Sequence, residues 1–252
     1  MHVHTRNFLK PDFMSKTIFH PAENRGHANH GWLNAYHSFS FAGYHDPSKI
    51  HFGALRVLND DTVKGGTGFG THPHDNMEII TIILEGALEH KDSLGHTQQI
   101  LPGEVQVMSA GTGVQHSEYN PSRTDAVNLL QSWIFPQQRN VAPRYDQRTF
   151  AAEERINQLQ TLVSPIDNDD PGLKINQQAW IYRTHLLAGQ TVTLPLHTDK
   201  HGVYLFMIDG SATAEGQSLN KRDAMGISDT GEVTITATAD SDILLYEVPM
   251  HY

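Results

Sequence analysis

Cysteine is absent from the 252 residues. That excludes disulfides, thiolate metal ligands and a cysteine nucleophile, so any metal site must use nitrogen and oxygen donors. Basic charge is scarce: 18 Lys and Arg face 28 Asp and Glu, for a formal net charge of −10. Non-specific nucleic-acid binding needs a basic footprint, so no direct nucleic-acid contact is expected, whereas a protein partner remains compatible. Long hydrophobic runs are missing too; Ile79 to Leu84 spans only six residues, well short of a membrane crossing. The opening Met1-His2-Val3-His4 lacks the apolar region of a signal peptide. A cytoplasmic protein without membrane contact is therefore expected, with Met14 competing with Met1 as the native start. Neither G-x-S-x-G nor a glycine loop ending in GK[ST] occurs, which removes the usual acyl-transfer and phosphate-binding signatures.

Histidine is abundant. There are 17, and 13 of them precede residue 127, so histidine chemistry belongs to the first half. Here the chain reads as short strands separated by turns about every ten residues. Ala54 to Leu58 is a strand that runs into Asn59-Asp60-Asp61, read as a turn cluster. Met77 to Leu84 is β-branched almost throughout, as in a strand buried on both faces. Gly86 to His90 and His96 to Leu101 flank the hairpin turn Asp92 to Gly95, and Val127 to Phe135 closes the series. The second half repeats the pattern: Gly202 to Ala212 parallels Ile79 to Ala87, and Asp223 to Ser228 parallels Glu104 to Ser109. The fold class is all-β, with two tandem barrels in one chain. The expected division is a leader or edge segment (1–18), a first barrel (19–136), a connection (137–170) and a second barrel (171–252). Ala151 to Gln160 fits either a short helix or an extended linker.

Two pairs of potential ligands stand out, His72-Pro73-His74 and His116-Ser117-Glu118. Residues i and i+2 of a strand share a face, so two such strands facing each other would bring His72, His74, His116 and Glu118 to one point. One such pair is weak evidence, since His2-Val3-His4 arises without context, but two glycine-preceded pairs on expected strands are stronger. Pro73 cannot donate to a sheet ladder and belongs at a strand end, edge or bulge. Glu78, four residues after His74, would face the same way along an ideal strand, as a ligand or as an acceptor that orients a histidine. In the second half Leu196, Thr198, Ile235 and Ala237 occupy the corresponding positions, so the strands persist without the ligands. His197 and His201 lie nearby but are not at ligand spacing. Three imidazoles and a carboxylate suit one divalent transition metal, Fe(II) first, with Ni, Cu, Co, Mn or Zn compatible.

These motifs resemble the pirin family of bicupins. Gly70-Thr71-His72-Pro73-His74 with Met77-Glu78-Ile79 and Leu84-Glu85-Gly86 is similar to the first cupin motif in its pirin variant. Pro102-Gly103-Glu104, Met108 to Gly113 and His116-Ser117-Glu118-Tyr119-Asn120 are similar to the second. Arg25-Gly26-His27 through Phe41 and the strand from Gly53 to Val57 are pirin-like as well. The resemblance implies two cupin (jelly-roll-like) barrels and one metal in the first, held by His72, His74, His116 and Glu118, with Glu78 behind the ligands. It further implies quercetin 2,3-dioxygenase activity, in which a flavonol ring is opened with O2 and carbon monoxide leaves. Glu118 would be the candidate base, with Glu78 a less favoured one. The alternative implied by nuclear relatives is a metal- or redox-sensing regulator acting through a protein partner.

Overall fold

A computed structural model describes residues 15–252; His2, His4 and most of the expected leader lie outside the described residues. The first half contributes β1 (Lys16–His20), β2 (Gly26–Asn29), β3 (Leu33–His37), β4 (Leu55–Val63), β5 (Gly68–His74), β6 (Glu78–Glu85), β7 (Leu88–Asp92), β8 (Thr97–Ile100), β9 (Glu104–Ser109), β10 (Val114–Tyr119), β11 (Val127–Ile134) and β12 (Arg144–Thr149). The second contributes β13 (Gln160–Pro165), β14 (Leu173–Ile175), β15 (Trp180–Leu186), β16 (Thr191–Pro195), β17 (His201–Asp209), β18 (Ser211–Ala214), β19 (Gln217–Asn220), β20 (Ala224–Ser228), β21 (Glu232–Ala237) and β22 (Ser241–Pro249). Among the described residues the only helical pieces are two 3-10 turns, Ala22–Asn24 and Ala152–Arg155. Within 151–160, where a short helix or an extended linker was expected, only Ala152–Arg155 is helical, and β13 begins at Gln160.

Each half pairs a seven-stranded sheet with a four-stranded one. The first barrel has the order β12-β9-β6-β11-β4-β3-β2 against β5-β10-β7-β8; the second has β1-β20-β17-β22-β15-β13-β14 against β16-β21-β18-β19. The segment expected as a connection is partly structural. β12 extends the first barrel along β9, and β13 belongs to the second. β1 crosses over to pair with β20 of the second barrel.

The two seven-stranded sheets pack face to face through one apolar cluster, to which Leu58, Ile80, Ile82, Val107 and Leu130 contribute from one side and Val163, Ile181, Phe206, Leu244 and Tyr246 from the other. This arrangement accounts for the unbroken apolar run in β6. Ile80 and Ile82 face the second barrel, while Ile79 and Ile83 face the interior of the first. Each such residue, fully buried, contributes roughly 1.5–3 kcal/mol. Polar links cross the same interface: Ser132 Oγ lies 2.8 Å from the Tyr246 hydroxyl, and His20 Nδ1 lies 2.8 Å from that of Tyr204. Gly53 is required where the chains touch. Its φ is +49°, and a Cβ there would collide with the Pro249 carbonyl, which accepts from the Ala54 N–H at 3.0 Å.

Asn59-Asp60-Asp61 is not a turn. All three are buried inside β4, which runs on to Val63. Asp60 is neutralised there by Arg25 at 3.0 Å and Arg222 at 3.2 Å, and Asn128 donates to its other oxygen at 3.0 Å. The polar cluster therefore continues a strand because distant arginines compensate its charge.

Candidate metal centre

β5 and β10 carry the two ligand pairs. They are hydrogen-bonded neighbours in the four-stranded sheet, with His116 paired to His72 and Gln115 to Pro73. Convergence thus arises side by side within one sheet, and not between strands facing each other across the barrel. Pro73 is tolerated because β5 is an edge strand. A bulge between His116 and Glu118 shifts the register against β5; such bulges re-aim side chains next to functional sites.

One ring nitrogen from each of His72, His74 and His116 lies within 4.8 Å of the others, and the two Nε2 atoms of His72 and His116 are 3.0 Å apart. The Nδ1–H of His72 donates to the Gly70 carbonyl at 2.8 Å; a carbonyl only accepts, so the neutral ring has the tautomer with its lone pair on Nε2. Burial, then the neighbouring His72, pushes the pKa of His74 down to about 4. Burial and the neighbouring His72, His74 and His90 push that of His116 down to about 2. Both rings are therefore neutral at neutral pH, as ligation demands.

Glu118 is buried on the same strand face as His116 and forms a second group with His116 and His90, again within 4.8 Å. Burial raises its pKa; the hydrogen bonds from Gln131 oppose that rise. Gln131 Nε2 donates to both carboxylate oxygens, at 2.9 and 3.0 Å. The indole N–H of Trp133 donates to Gln131 Oε1 at 3.1 Å and so sets the orientation of the amide. Glu78 stands elsewhere. It accepts from Ser109 Oγ at 2.6 Å and from Asn176 of the second half at 3.1 Å, and no hydrogen bond among the described residues joins it to a histidine. The chain bends between β5 and β6, with Asn76 at φ 46°, so extrapolating one ideal strand from His74 to Glu78 fails. Glu78 ties the two barrels together.

Several residues were not singled out from sequence. His90 on β7 pairs with Glu118 across β10, and Leu88, His90 and Asp92 alternate inward; that alternation was the available signal. Trp133 packs edge-on against His74 at 4.9 Å, and Phe41 against Trp133 at 5.3 Å. Phe41 also lines a cavity of about 630 Å³ with Trp32, His37, Tyr44 and Phe69. Opposite the ligands, the inner face carries a polar rung, His37–Asn59–Gln131–Thr81–Gln106, across β3, β4, β11, β6 and β9. In the second barrel the rung Tyr182–Leu245–Leu205–Met225 is largely hydrocarbon. Ile235 and Ala237 are buried in its core, and Leu196 packs against it. His197 and His201 instead share the buried Glu247, each through Nδ1 at 2.9 Å.

Two cupin barrels in tandem, the first of which brings the ring nitrogens of His72, His74 and His116 together near the buried Glu118, define a bicupin with one candidate metal centre among the described residues. The Pirin family model matches residues 18–134, and that of the quercetinase C-terminal cupin domain matches residues 161–248. The chain belongs to the pirin family. It is 45% identical over 228 residues to the quercetin 2,3-dioxygenase of Escherichia coli K12, covering 90% of this chain and 96% of that one. It is 41% identical over 227 residues to a pirin-like protein of Caulobacter vibrioides, covering 90% and 97%. The crystal structure of YhhW from E. coli superposes with a TM-score of 0.89 at 43% identity, over 94% of this chain and all of that one. A nickel(II) complex of the bacterial pirin YhhW gives 0.87 at 44% identity, over 93% and 99%.

Proposed function

We propose that this protein is a metal-dependent dioxygenase of the quercetin 2,3-dioxygenase type, with His72, His74, His116 and Glu118 as the metal ligands. The observation that carries the reading is the convergence of three imidazole nitrogens, two on rings held neutral by burial, beside a buried carboxylate. That donor set fits Fe(II), Ni(II) and their neighbours. Fe(II) is our first assignment, and the nickel complex of YhhW makes Ni(II) the first comparison. When bound, such a metal supplies Lewis-acid and redox chemistry that the side chains lack.

The remaining roles belong to the chain. Burial raises the proton affinity of Glu118, which suits a base that takes the 3-hydroxyl proton of a flavonol-like substrate. Gln131 fixes both of its oxygens. Trp133 and Phe41 form an apolar wall from His74 to the aromatic cavity, a surface for a flat ring, and they keep water from the reacting face. The test is to load the protein separately with Fe, Ni, Cu, Co and Mn, then follow quercetin absorbance, O2 uptake and carbon monoxide release. Turnover with at least one metal, lost in Glu118→Gln, is expected. Absence of turnover with all five would overturn the reading.

A further inference from the structure

His116 sits between two imidazoles. Its Nε2 is 3.0 Å from His72 Nε2, and its Nδ1 is 3.4 Å from His90 Nδ1. On the far side of His90, Nε2 is 3.0 Å from Asp92 Oδ2, with both side chains fully buried. A carboxylate only accepts, so Nε2 of His90 carries a proton, and the neutral ring then presents a bare Nδ1. That nitrogen in turn accepts from His116, whose proton must sit on Nδ1. His116 is left with its lone pair on Nε2, toward His72 and His74. The chain is anchored at its outer end. Asp92 Oδ1 accepts the backbone N–H groups of Leu94 and His96 at 2.9 and 3.0 Å, and Oδ2 also lies 2.9 Å from His96 Nδ1. Tyr145 packs over both His90 and His96, with ring centroids 4.8 and 4.7 Å away.

We infer that Asp92 and His90 are positioning residues that fix the tautomer of His116, so that metal affinity depends on two side chains that do not hold the metal. The inference rests on the reading of His116 as a ligand through Nε2. Metal-bound histidines generally donate their other ring N–H to an outer partner, and removing that partner typically costs about 10–100-fold in affinity. What is unusual here is that the partner is a second imidazole, which can accept only because Asp92 holds its proton on the opposite nitrogen. The competing arrangement would place the metal among His90, His116 and Glu118, and would require His116 to bind through Nδ1.

Two measurements on the full chain decide it. Long-range 1H–15N NMR of the zinc-loaded protein should show His116 protonated at Nδ1 and metallated at Nε2; metallation at Nδ1 would overturn the inference. Competition of Ni(II) against a chromophoric chelator should show His90→Phe and Asp92→Asn weakened about 10–100-fold, with His90→Gln, which retains one acceptor and one donor, recovering most of the loss. His116→Ala separates the two layers. If it binds Ni(II) like the wild type, the ligand assignment fails and the inference with it. If it loses binding while Asp92→Asn and His90→Phe do not, the relay alone is wrong. Should His90→Phe fail to fold, Asp92→Asn and the wild-type NMR spectrum still separate the two arrangements.

Discussion

Replacing Asp60 by Ala should be among the most damaging single changes outside the metal centre. Its side chain is 9% exposed and pairs with Arg25, itself 7% exposed, and with Arg222 from the second barrel at 18%. Removing the carboxylate strands two guanidinium groups, that of Arg25 lying against the rings of Tyr36 and Phe206. Breaking a buried pair from one side costs about 3–5 kcal/mol, mostly because the remaining charge has no compensation. For a chain of this length each kcal/mol moves the melting temperature by roughly 2–4 °C, so a drop of about 6–20 °C is expected. Urea or thermal unfolding followed by circular dichroism, at fixed metal load, is the assay. Adding about 0.5 M salt should change the difference little, because buried pairs are screened weakly. The exposed pair Lys16 and Asp229, with side chains 79% and 50% exposed, supplies the control, and its removal should have no measurable effect. A loss below about 1 kcal/mol for Asp60→Ala, the range typical of surface pairs, would refute the claim that this cluster is a desolvated link between the barrels.

Gln131→Leu removes both hydrogen bonds onto Glu118; charge-assisted bonds of this kind are worth about 1.5–3 kcal/mol, so Ni(II) affinity should fall about 10–100-fold. Losing those donors raises the Glu118 pKa further, so the deficit should widen as pH falls in a chelator-competition titration. Thr81 Oγ1 and both amide atoms of Gln106 are buried without a protein partner, and Thr81→Val with Gln106→Leu should stabilise the fold by about 1–3 kcal/mol. Lower quercetin turnover in the same variant would show that the rung receives polar groups of the substrate. Asp61 has its pKa pushed up to about 8 from 3.8 by burial, then by Asp60 and Glu118. Between about pH 4 and pH 8 the folded state holds a proton that the unfolded chain releases, so stability falls as pH rises through that window, by at most about 1.4 kcal/mol per pH unit from this group. Asp61→Asn should flatten that dependence in urea titrations at about pH 5 and about pH 7.5; an unchanged slope would contradict the assignment.

What could be read from sequence follows strand periodicity. The spacing of His72 and His74, and of His116 and Glu118, placed each pair on one face because a strand repeats every two residues. The run from Ile79 to Leu84 indicated two buried faces because both faces are in fact apolar. The failures are all non-local. Asn59-Asp60-Asp61 looked like a turn because the arginines that neutralise Asp60 are distant in the chain. Glu78 looked aligned with His74 because nothing in the residue types reveals that the strand ends between them. His90 escaped notice since its partners, His116 and Glu118, meet it only through the β7–β10 pairing. That β5 and β10 are neighbours in one sheet is likewise a property of topology, which i, i+2 spacing leaves open.

The metal centre is tested most directly by a crystal of metal-loaded protein measured at the absorption edge of the added ion. One anomalous peak per chain is expected, in the first barrel, within bonding distance of His72, His74, His116 and Glu118. A peak beside His197, His201 and Glu247 in the second barrel, or none in a crystal grown with excess metal, would contradict the proposed ligand set.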